Sequence, residues 1–166
     1  MKGEKILFLV RHGKSSWDQV GVSDIDRPLK DRGVKDAYEM ASRVLKKGFR
    51  PDSIISSPAL RALHTAIIFS RVLDYPVNEI IINQEMYQSE ADQIFSIVSE
   101  TDNSIGSLMI FGHNPGFTEL VNYLSELDID NLPTAGLVRL RFKSDNWKGI
   151  SKNCQVLEYI DFPHNS

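Results

Sequence analysis

An uninterrupted apolar run, residues 6–10, ends directly in the tripeptide Arg11-His12-Gly13. Five consecutive apolar residues between polar flanks are typical of a strand that is buried on both faces, as in a parallel sheet. In open α/β sheets, ligands bind beyond the carboxyl ends of the parallel strands. The run therefore predicts a central strand that places a guanidinium and an imidazole at a ligand-binding edge.

Two further apolar segments end in the same way. Residues 53–57 form a short β-branched segment, and Arg61 follows near the start of a predicted helix. Residues 108–111 form another apolar run, and His113 comes just after it. Because the carboxyl ends of parallel strands meet at one edge of a sheet, we expect the two arginines and two histidines to lie together.

Segments with helical spacing of apolar residues alternate with these strands. The spacing predicts helices over residues 29–47, from Pro58 with Ser57 as its N-cap, over residues 92–100, and from Pro115 to about residue 124. Further strands are predicted at residues 79–83, 137–142 and 156–160. This alternation favours an α/β fold, a three-layer α/β/α sandwich around a mostly parallel central sheet. A chain of 166 residues suits a single domain over residues 1–166.

The composition argues against several functions. The net charge of −3 gives no overall attraction to nucleic acid or to an anionic membrane. One cysteine, Cys154, cannot form an internal disulfide, which fits a reducing compartment. No apolar stretch approaches the roughly 20 residues of a membrane span. We therefore expect a cytoplasmic protein with neither nucleic acid nor membrane as a partner.

In combination and in order, these motifs resemble the histidine phosphatase superfamily, whose signature is Arg-His-Gly near the N-terminus with a second Arg and a second His downstream. The similarity is greatest to its short SixA-like branch of phosphohistidine phosphatases. It rests on residues 11–17, 26–29, 56–62 and 112–115, and it extends over residues 5–142. The resemblance implies a phosphoglycerate mutase-like fold and a metal-independent phosphatase. Its implied partner is a phosphorylated protein carrying phosphohistidine, and its product is inorganic phosphate.

Residue roles follow from this resemblance and from side-chain chemistry. His12 is the expected nucleophile, because a neutral imidazole nitrogen can attack phosphorus and form a phosphohistidine intermediate. Arg11 and Arg61 are expected to bind the nonbridging oxygens through their planar guanidinium groups. By resemblance, His113 donates a hydrogen bond to the transferring phosphoryl group. Neither histidine has carboxylates or thiols at metal-ligand spacing, so we expect no metal and no other cofactor.

Three more residues are candidates with a structural alternative. Ser15 is expected to donate to phosphate, or else to fold its loop. Asn114 is a further phosphate donor or, in the favoured alternative, a helix cap. Glu85 is the candidate general acid, because larger superfamily members carry a glutamate at a matching point; its alternative is an exposed loop residue. Weaker candidates for the acid are Asp18, Asp24 and Asp26.

Two other functions stay open on the sequence. The same site suits a small phosphomonoester or sugar phosphate as substrate. A regulatory module that binds phosphate without turnover is the other alternative. A mutase role fits less well, because Lys14 stands where many mutases have a glutamate. Substrate choice is expected to depend on residues 13–26 and 85–92.

Overall fold

The computed structural model describes residues 3–164, except for the side chain of Leu157. Its strands are β1 (Lys5–Arg11), β2 (Ser53–Ser56), β3 (Ile81–Ile82), β4 (Ser107–Gly112), β5 (Leu137–Phe142) and β6 (Gln155–Asp161). Its helices are α1 (Asp31–Lys46), α2 (Leu60–Leu73), α3 (Ala91–Ser99) and α4 (Gly116–Leu124). The ends of the predicted domain, residues 1, 2, 165 and 166, lie outside the described residues.

The six strands form one sheet in the order β3-β2-β4-β1-β5-β6. Strands β1, β2, β3 and β4 all run parallel to one another. Strand β5 is antiparallel to β1, and β6 is antiparallel to β5. The predicted mostly parallel sheet is therefore confirmed, with an antiparallel pair on one side. Strand β1 lies between β4 and β5, so its carboxyl end opens at the middle of the sheet.

Helices cover both faces of this sheet, which confirms the three-layer prediction. Side chains of β1 alternate between the two faces: Phe8 and Val10 pack with α1 and α2, and Leu7 and Leu9 pack with α3 and α4. Burial on both faces explains why the β1 sequence is uninterruptedly apolar. Among residues 3–164, no helix is both long enough and apolar enough to cross a membrane.

Two predicted elements differ in extent from those of the structure. Strand β3 has only two residues, because Val77–Glu79 forms a 3₁₀ turn and the side chains of Ile81 and Ile82 are about half exposed at the sheet edge. Helix α2 begins at Leu60, not at Pro58, and Ala59 takes the N-cap position. The hydroxyl of Ser57 instead accepts a hydrogen bond from the Ala59 amide, within the turn before the helix.

The first turn of α1 packs directly against the loop that follows β1. A Cβ atom on Gly33 would lie 2.2 Å from the carbonyl oxygen of Lys14, and one on Gly13 would lie 2.7 Å from the carbonyl oxygen of Gly33. The Lys30 amide also donates to the Lys14 carbonyl at 2.8 Å. Only glycine at these two positions permits this backbone approach, which fixes the chain immediately after His12.

Candidate active site

Adjacent strands deliver the two histidines to the same edge of the sheet. Strands β1 and β4 pair in parallel with Arg11 opposite Gly112, so His12 and His113 leave the sheet side by side. Their ring centroids lie 5.2 Å apart. Arg61 reaches the same place from the first turn of α2, and both arginines lie close enough to lower the pKa of both histidines. The structure thus brings together the four residues that the sequence grouped.

The ring of His12 is buried and oriented by the chain next to it. Its Nδ1 atom lies 2.7 Å from the carbonyl oxygen of Gly13. A carbonyl only accepts hydrogen bonds, so Nδ1 carries the proton and the neutral ring has its lone pair on Nε2. Burial and the charges of Arg61 and Arg11 lower the pKa of His12 to about 4, although the bond to Gly13 opposes this shift. The imidazole is therefore neutral at pH 7.

His113 is also neutral at pH 7. Burial lowers its pKa to about 3, and the neighbouring His12 and Arg61 contribute in the same direction. Its Nε2 atom lies 2.8 Å from the hydroxyl oxygen of Ser57, while its Nδ1 atom is buried and has no hydrogen-bond partner among the residues described. The ring of Tyr87 packs edge-on against it at 5.8 Å. A neutral imidazole in this setting is able to donate one hydrogen bond to a bound group.

The two guanidinium groups bring positive charge that few protein groups balance. Arg11 donates from Nη1 to the carbonyl oxygen of Leu132 at 2.9 Å, and among residues 3–164 it forms no ion pair. Within the part of the chain that the structure describes, the Nε atoms of Arg11 and Arg61 are both buried without a hydrogen-bond partner. Unpaired buried donors are costly unless an acceptor meets them, so the cluster is suited to an anion. Within the same residues, no group of three or more His, Cys, Asp or Glu side chains is placed to hold a metal ion.

Asp24 and Tyr87 also contact the cluster, although the sequence predicted Asp24 only as a weaker candidate acid and did not single out Tyr87. Asp24 Oδ2 accepts from Tyr87 Oη at 2.5 Å and from Arg61 Nη2 at 3.1 Å, while its Oδ1 accepts from Arg27 Nε at 3.1 Å. The hydrogen bond from Tyr87, with those from the two arginines, lowers the pKa of Asp24 to about 2. The sequence pointed to these two residues only through their segments, because Asp24 and Tyr87 lie in the two segments expected to govern substrate choice.

The structure does not bring Glu85 to the cluster, which corrects its selection as the candidate acid. Its side chain is exposed and lines a separate groove with Ile55, Ile97 and Thr101. Glu85 lies in a 3₁₀ turn, Gln84–Met86, in which Met86 is buried. Because the turn directs Met86 into the core, the neighbouring glutamate faces outward.

Ser15 and Asn114 direct their polar atoms to other protein groups. Ser15 Oγ accepts from Arg27 Nη1 at 3.0 Å, so it helps to fold its own loop. Asn114 Oδ1 accepts from the Thr118 amide at 3.2 Å, and its Nδ2 donates to the carbonyl oxygen of Leu132 at 2.9 Å. Asn114 thus binds an amide in the first turn of α4, although Pro115 and not Asn114 is the N-cap residue of this helix. It also fixes the carbonyl to which Arg11 binds.

Thr65 is a positioning residue that the sequence did not reveal. Its fully buried hydroxyl accepts from the Gly13 amide at 3.0 Å and donates to the Arg61 carbonyl at 2.7 Å. It therefore links the loop after His12 to the helix turn that carries Arg61. The signal was its spacing, one helical turn after Arg61 on the same face of α2.

We expect Thr65→Val to lower the free energy of unfolding by about 1–3 kcal/mol, because it leaves the buried Gly13 amide without an acceptor. Urea denaturation measures this difference. The matched variant Thr65→Ser keeps the hydroxyl and is expected to lose less than about 1.5 kcal/mol, in line with a single lost methyl group. A loss in Thr65→Val no larger than that in Thr65→Ser would show that the hydrogen bond to the Gly13 amide contributes little to stability.

We expect the imidazole signals of His12 and His113 to stay unchanged from pH 8 down to about pH 5 in NMR titrations. Their lowered pKa values, about 4 and about 3, keep both rings neutral over this range, and protonation begins only at lower pH. The variants His12→Ala and His113→Ala assign the signals. A midpoint near the ordinary value of about 6.5 for either ring would contradict its burial beside the arginines.

The chain is similar to a protein family and to a curated relative. The histidine phosphatase superfamily (branch 1) matches residues 7–89, a segment that contains Arg11, His12 and Arg61. An uncharacterized chloroplastic protein of Arabidopsis thaliana is 29% identical over 150 residues, which cover 86% of this chain and 68% of the relative.

Solved structures share the fold over most of their length. A protein of Agrobacterium tumefaciens, described as a putative phosphohistidine phosphatase SixA, is 30% identical and superposes with a TM-score of 0.71. The match covers 82% of this chain and 90% of the Agrobacterium chain. The protein histidine phosphatase SixA complexed with tungstate is 20% identical with a TM-score of 0.79, covering 95% and 97%. The fold and the similarity to these proteins define a phosphatase of the phosphoglycerate mutase-like class. The chain belongs to the histidine phosphatase superfamily, in its SixA-like branch.

Proposed function

We propose that this phosphatase transfers a phosphoryl group first to Nε2 of His12 and then to water, and that its substrate is phosphohistidine on a phosphotransfer protein. The observation that carries the proposal is the state of His12. Its ring is held by the Gly13 carbonyl with the lone pair on Nε2, and burial beside two arginines keeps it neutral. Such a nitrogen is a ready nucleophile at neutral pH.

The surrounding side chains supply the charge that phosphoryl transfer requires. Catalysis of this reaction depends mainly on positioning and on stabilising negative charge at the phosphoryl oxygens. The buried Nε donors of Arg11 and Arg61 and the buried Nδ1 atom of His113 are suited to meet these oxygens. Water then attacks phosphorus, the bond to His12 breaks, and inorganic phosphate leaves. Every group in this scheme is a side chain of the protein, so no metal is needed.

A protein substrate is supported by the loop at residues 13–26 and by the likeness to the Agrobacterium protein. Trp17 is 75% exposed, and the Arg27 guanidinium stacks 3.4 Å from its ring centroid. Arg27 also binds Asp24, which contacts Arg61, so Trp17 is held at the rim of the cluster. A rigid, exposed aromatic ring is the kind of residue that anchors protein interfaces.

The test compares phosphate release from a phosphohistidine-bearing phosphotransfer domain and from p-nitrophenyl phosphate, both in EDTA. We expect a kcat/KM for the domain at least about 100-fold higher, since only the domain contacts the rim of the site. Trp17→Ala is expected to lower turnover of the domain and leave that of the ester unchanged. Tyr123→Ala, which alters an exposed aromatic residue on α4, is the matched control.

Turnover of the small ester without turnover of the domain would overturn the proposed substrate. The reaction through His12 would then stand with a small phosphomonoester in its place. Equal effects of Trp17→Ala on both substrates would show that Trp17 acts on the fold of the loop and not on a protein partner.

A further inference from the structure

One carboxylate, that of Asp24, reaches the cluster from the loop at residues 13–26. Arg61 binds this residue twice, from Nη1 to its backbone oxygen at 2.7 Å and from Nη2 to its Oδ2 at 3.1 Å. Among the described residues, no other carboxylate forms an ion pair with Arg61, and the charge of Asp24 also acts on His113. Asp24 is thus an acidic group that the fold places beside Arg61 and His113 of the cluster.

We propose that Asp24 is the proton-transfer residue of this site, giving a proton to the leaving group and later taking one from the attacking water. This inference rests on the function proposed above and supplies the acid that Glu85 does not. Both chain segments that meet at Asp24 Oδ2 also contact the cluster: Tyr87 packs on His113, and Arg61 lies beside His12. The carboxylate is therefore fixed by groups that themselves line the site.

Substrate binding changes the surroundings of this carboxylate in the direction that protonation requires. Without substrate, the hydrogen bonds from Tyr87, Arg61 and Arg27 favour the ionised form. A phosphoryl group that takes the Arg61 donors removes one of these bonds and adds negative charge nearby. Both changes raise the pKa of a carboxyl group. Among the charged and titratable groups that act on Asp24 or feel its charge are these three residues and His113.

The proton comes with the substrate. The phosphoryl group of the substrate, bound as its monoanion, passes its proton to Asp24, and His12 Nε2 then forms a bond to phosphorus. The bond from phosphorus to the leaving atom breaks, and that atom keeps the electron pair and takes the proton from Asp24. In the second half of the reaction, the water oxygen forms a bond to phosphorus while Asp24 takes a proton from that water, and the bond between phosphorus and His12 breaks. Asp24 then returns that proton to the product, which leaves as the phosphate monoanion.

Tyr87 acts as a positioning residue in this scheme. Its hydroxyl donates to Asp24 Oδ2, and its ring contacts His113, so it holds the carboxylate relative to the imidazole. Tyr87→Phe removes the bond that contributes most to the low pKa of Asp24. We therefore expect this variant to raise the pKa of Asp24, which NMR titration of the labelled carboxyl carbon measures, a change that loss of packing alone would not produce.

The test uses aryl and alkyl phosphates whose leaving groups differ in basicity. We expect Asp24→Asn to lower kcat/KM about 100-fold or more for phenyl phosphate and less than about 10-fold for p-nitrophenyl phosphate, whose phenolate leaves without a proton. The phosphohistidine domain, whose leaving nitrogen takes a proton, is expected to lose as much as phenyl phosphate. Asp26→Asn is the matched control, because Asp26 bonds to Ser23 and not to the cluster.

Asp24→Glu keeps a carboxylic acid. We therefore expect its losses of kcat/KM for phenyl phosphate and for p-nitrophenyl phosphate to differ less than those of Asp24→Asn. An equal loss for every substrate in Asp24→Asn would overturn the inference, since it would mark Asp24 as a structural residue only. Full activity of His12→Ala would overturn the proposed function instead, whatever the Asp24 variants do. The two failures are therefore distinguishable in the same set of assays.

Discussion

His12→Ala is expected to lower kcat/KM for the phosphohistidine domain by about 10⁴-fold or more, because it removes the atom that accepts the phosphoryl group. The same variant should form no acid-labile phosphoenzyme when it is mixed with radiolabelled substrate and quenched in alkali. In the wild-type protein, by contrast, His12 Nε2 is oriented by Gly13 and kept neutral by burial. Both measurements follow the covalent step directly.

His64→Ala is the control for His12→Ala. It removes an imidazole from α2 that makes no hydrogen bond with the cluster, and we expect its kcat/KM to match that of the wild type. Circular dichroism establishes that both variants fold. Residual activity of His12→Ala within 10-fold of the wild type would rule out His12 as the nucleophile.

Arg61→Ala should lower kcat/KM by about 10³-fold, within the range measured when a charge-stabilising donor is removed from a phosphoryl-transfer site. Arg61→Lys is expected to recover little of this loss. An ammonium group keeps the charge but lacks the planar pair of donors, and Arg61 uses both terminal nitrogens when it binds Asp24. The effect should appear in kcat as well as in KM, because the donors act on the transition state.

Arg71→Ala, on the last turn of the same helix, tests whether charge loss on α2 alone is harmful. Arg71 is exposed, and we expect this variant to keep wild-type activity. Wild-type activity in Arg61→Lys would show that Arg61 contributes only charge at a distance, which the geometry of its two contacts with Asp24 contradicts.

Much of the fold follows from local sequence patterns. The apolar run of β1 and the helical spacing over α1 and α4 each predicted an element within two residues of its ends. The edge of the sheet was less predictable. The Ile80–Ile82 segment is as apolar as a core strand, yet its strand has two residues, because pairing with a single neighbour at the edge decides where β3 ends.

The residues of the site also divide into those that local sequence patterns predicted and those that they did not. Three residues of the cluster lie at or just after the ends of predicted strands, and Arg61 lies in the helix turn that follows another, so the topology of a parallel sheet was enough to group them. Asp24 meets Arg61 and Tyr87 across 37 and 63 positions of the chain, through loops whose paths no periodicity describes. Glu85 was selected by its position in the sequence, and the burial of Met86 in the same turn is a tertiary effect that the sequence does not show.

The hydrogen bond between Nδ1 of His12 and the Gly13 carbonyl also has an isomeric consequence. It leaves one ring nitrogen for phosphorylation, so a phosphoryl group on His12 is the tele isomer and not the pros isomer. An antibody specific for tele-phosphohistidine should therefore recognise the trapped enzyme, while a pros-specific antibody should not. The short peptide between strand and loop thereby sets the regiochemistry of the intermediate.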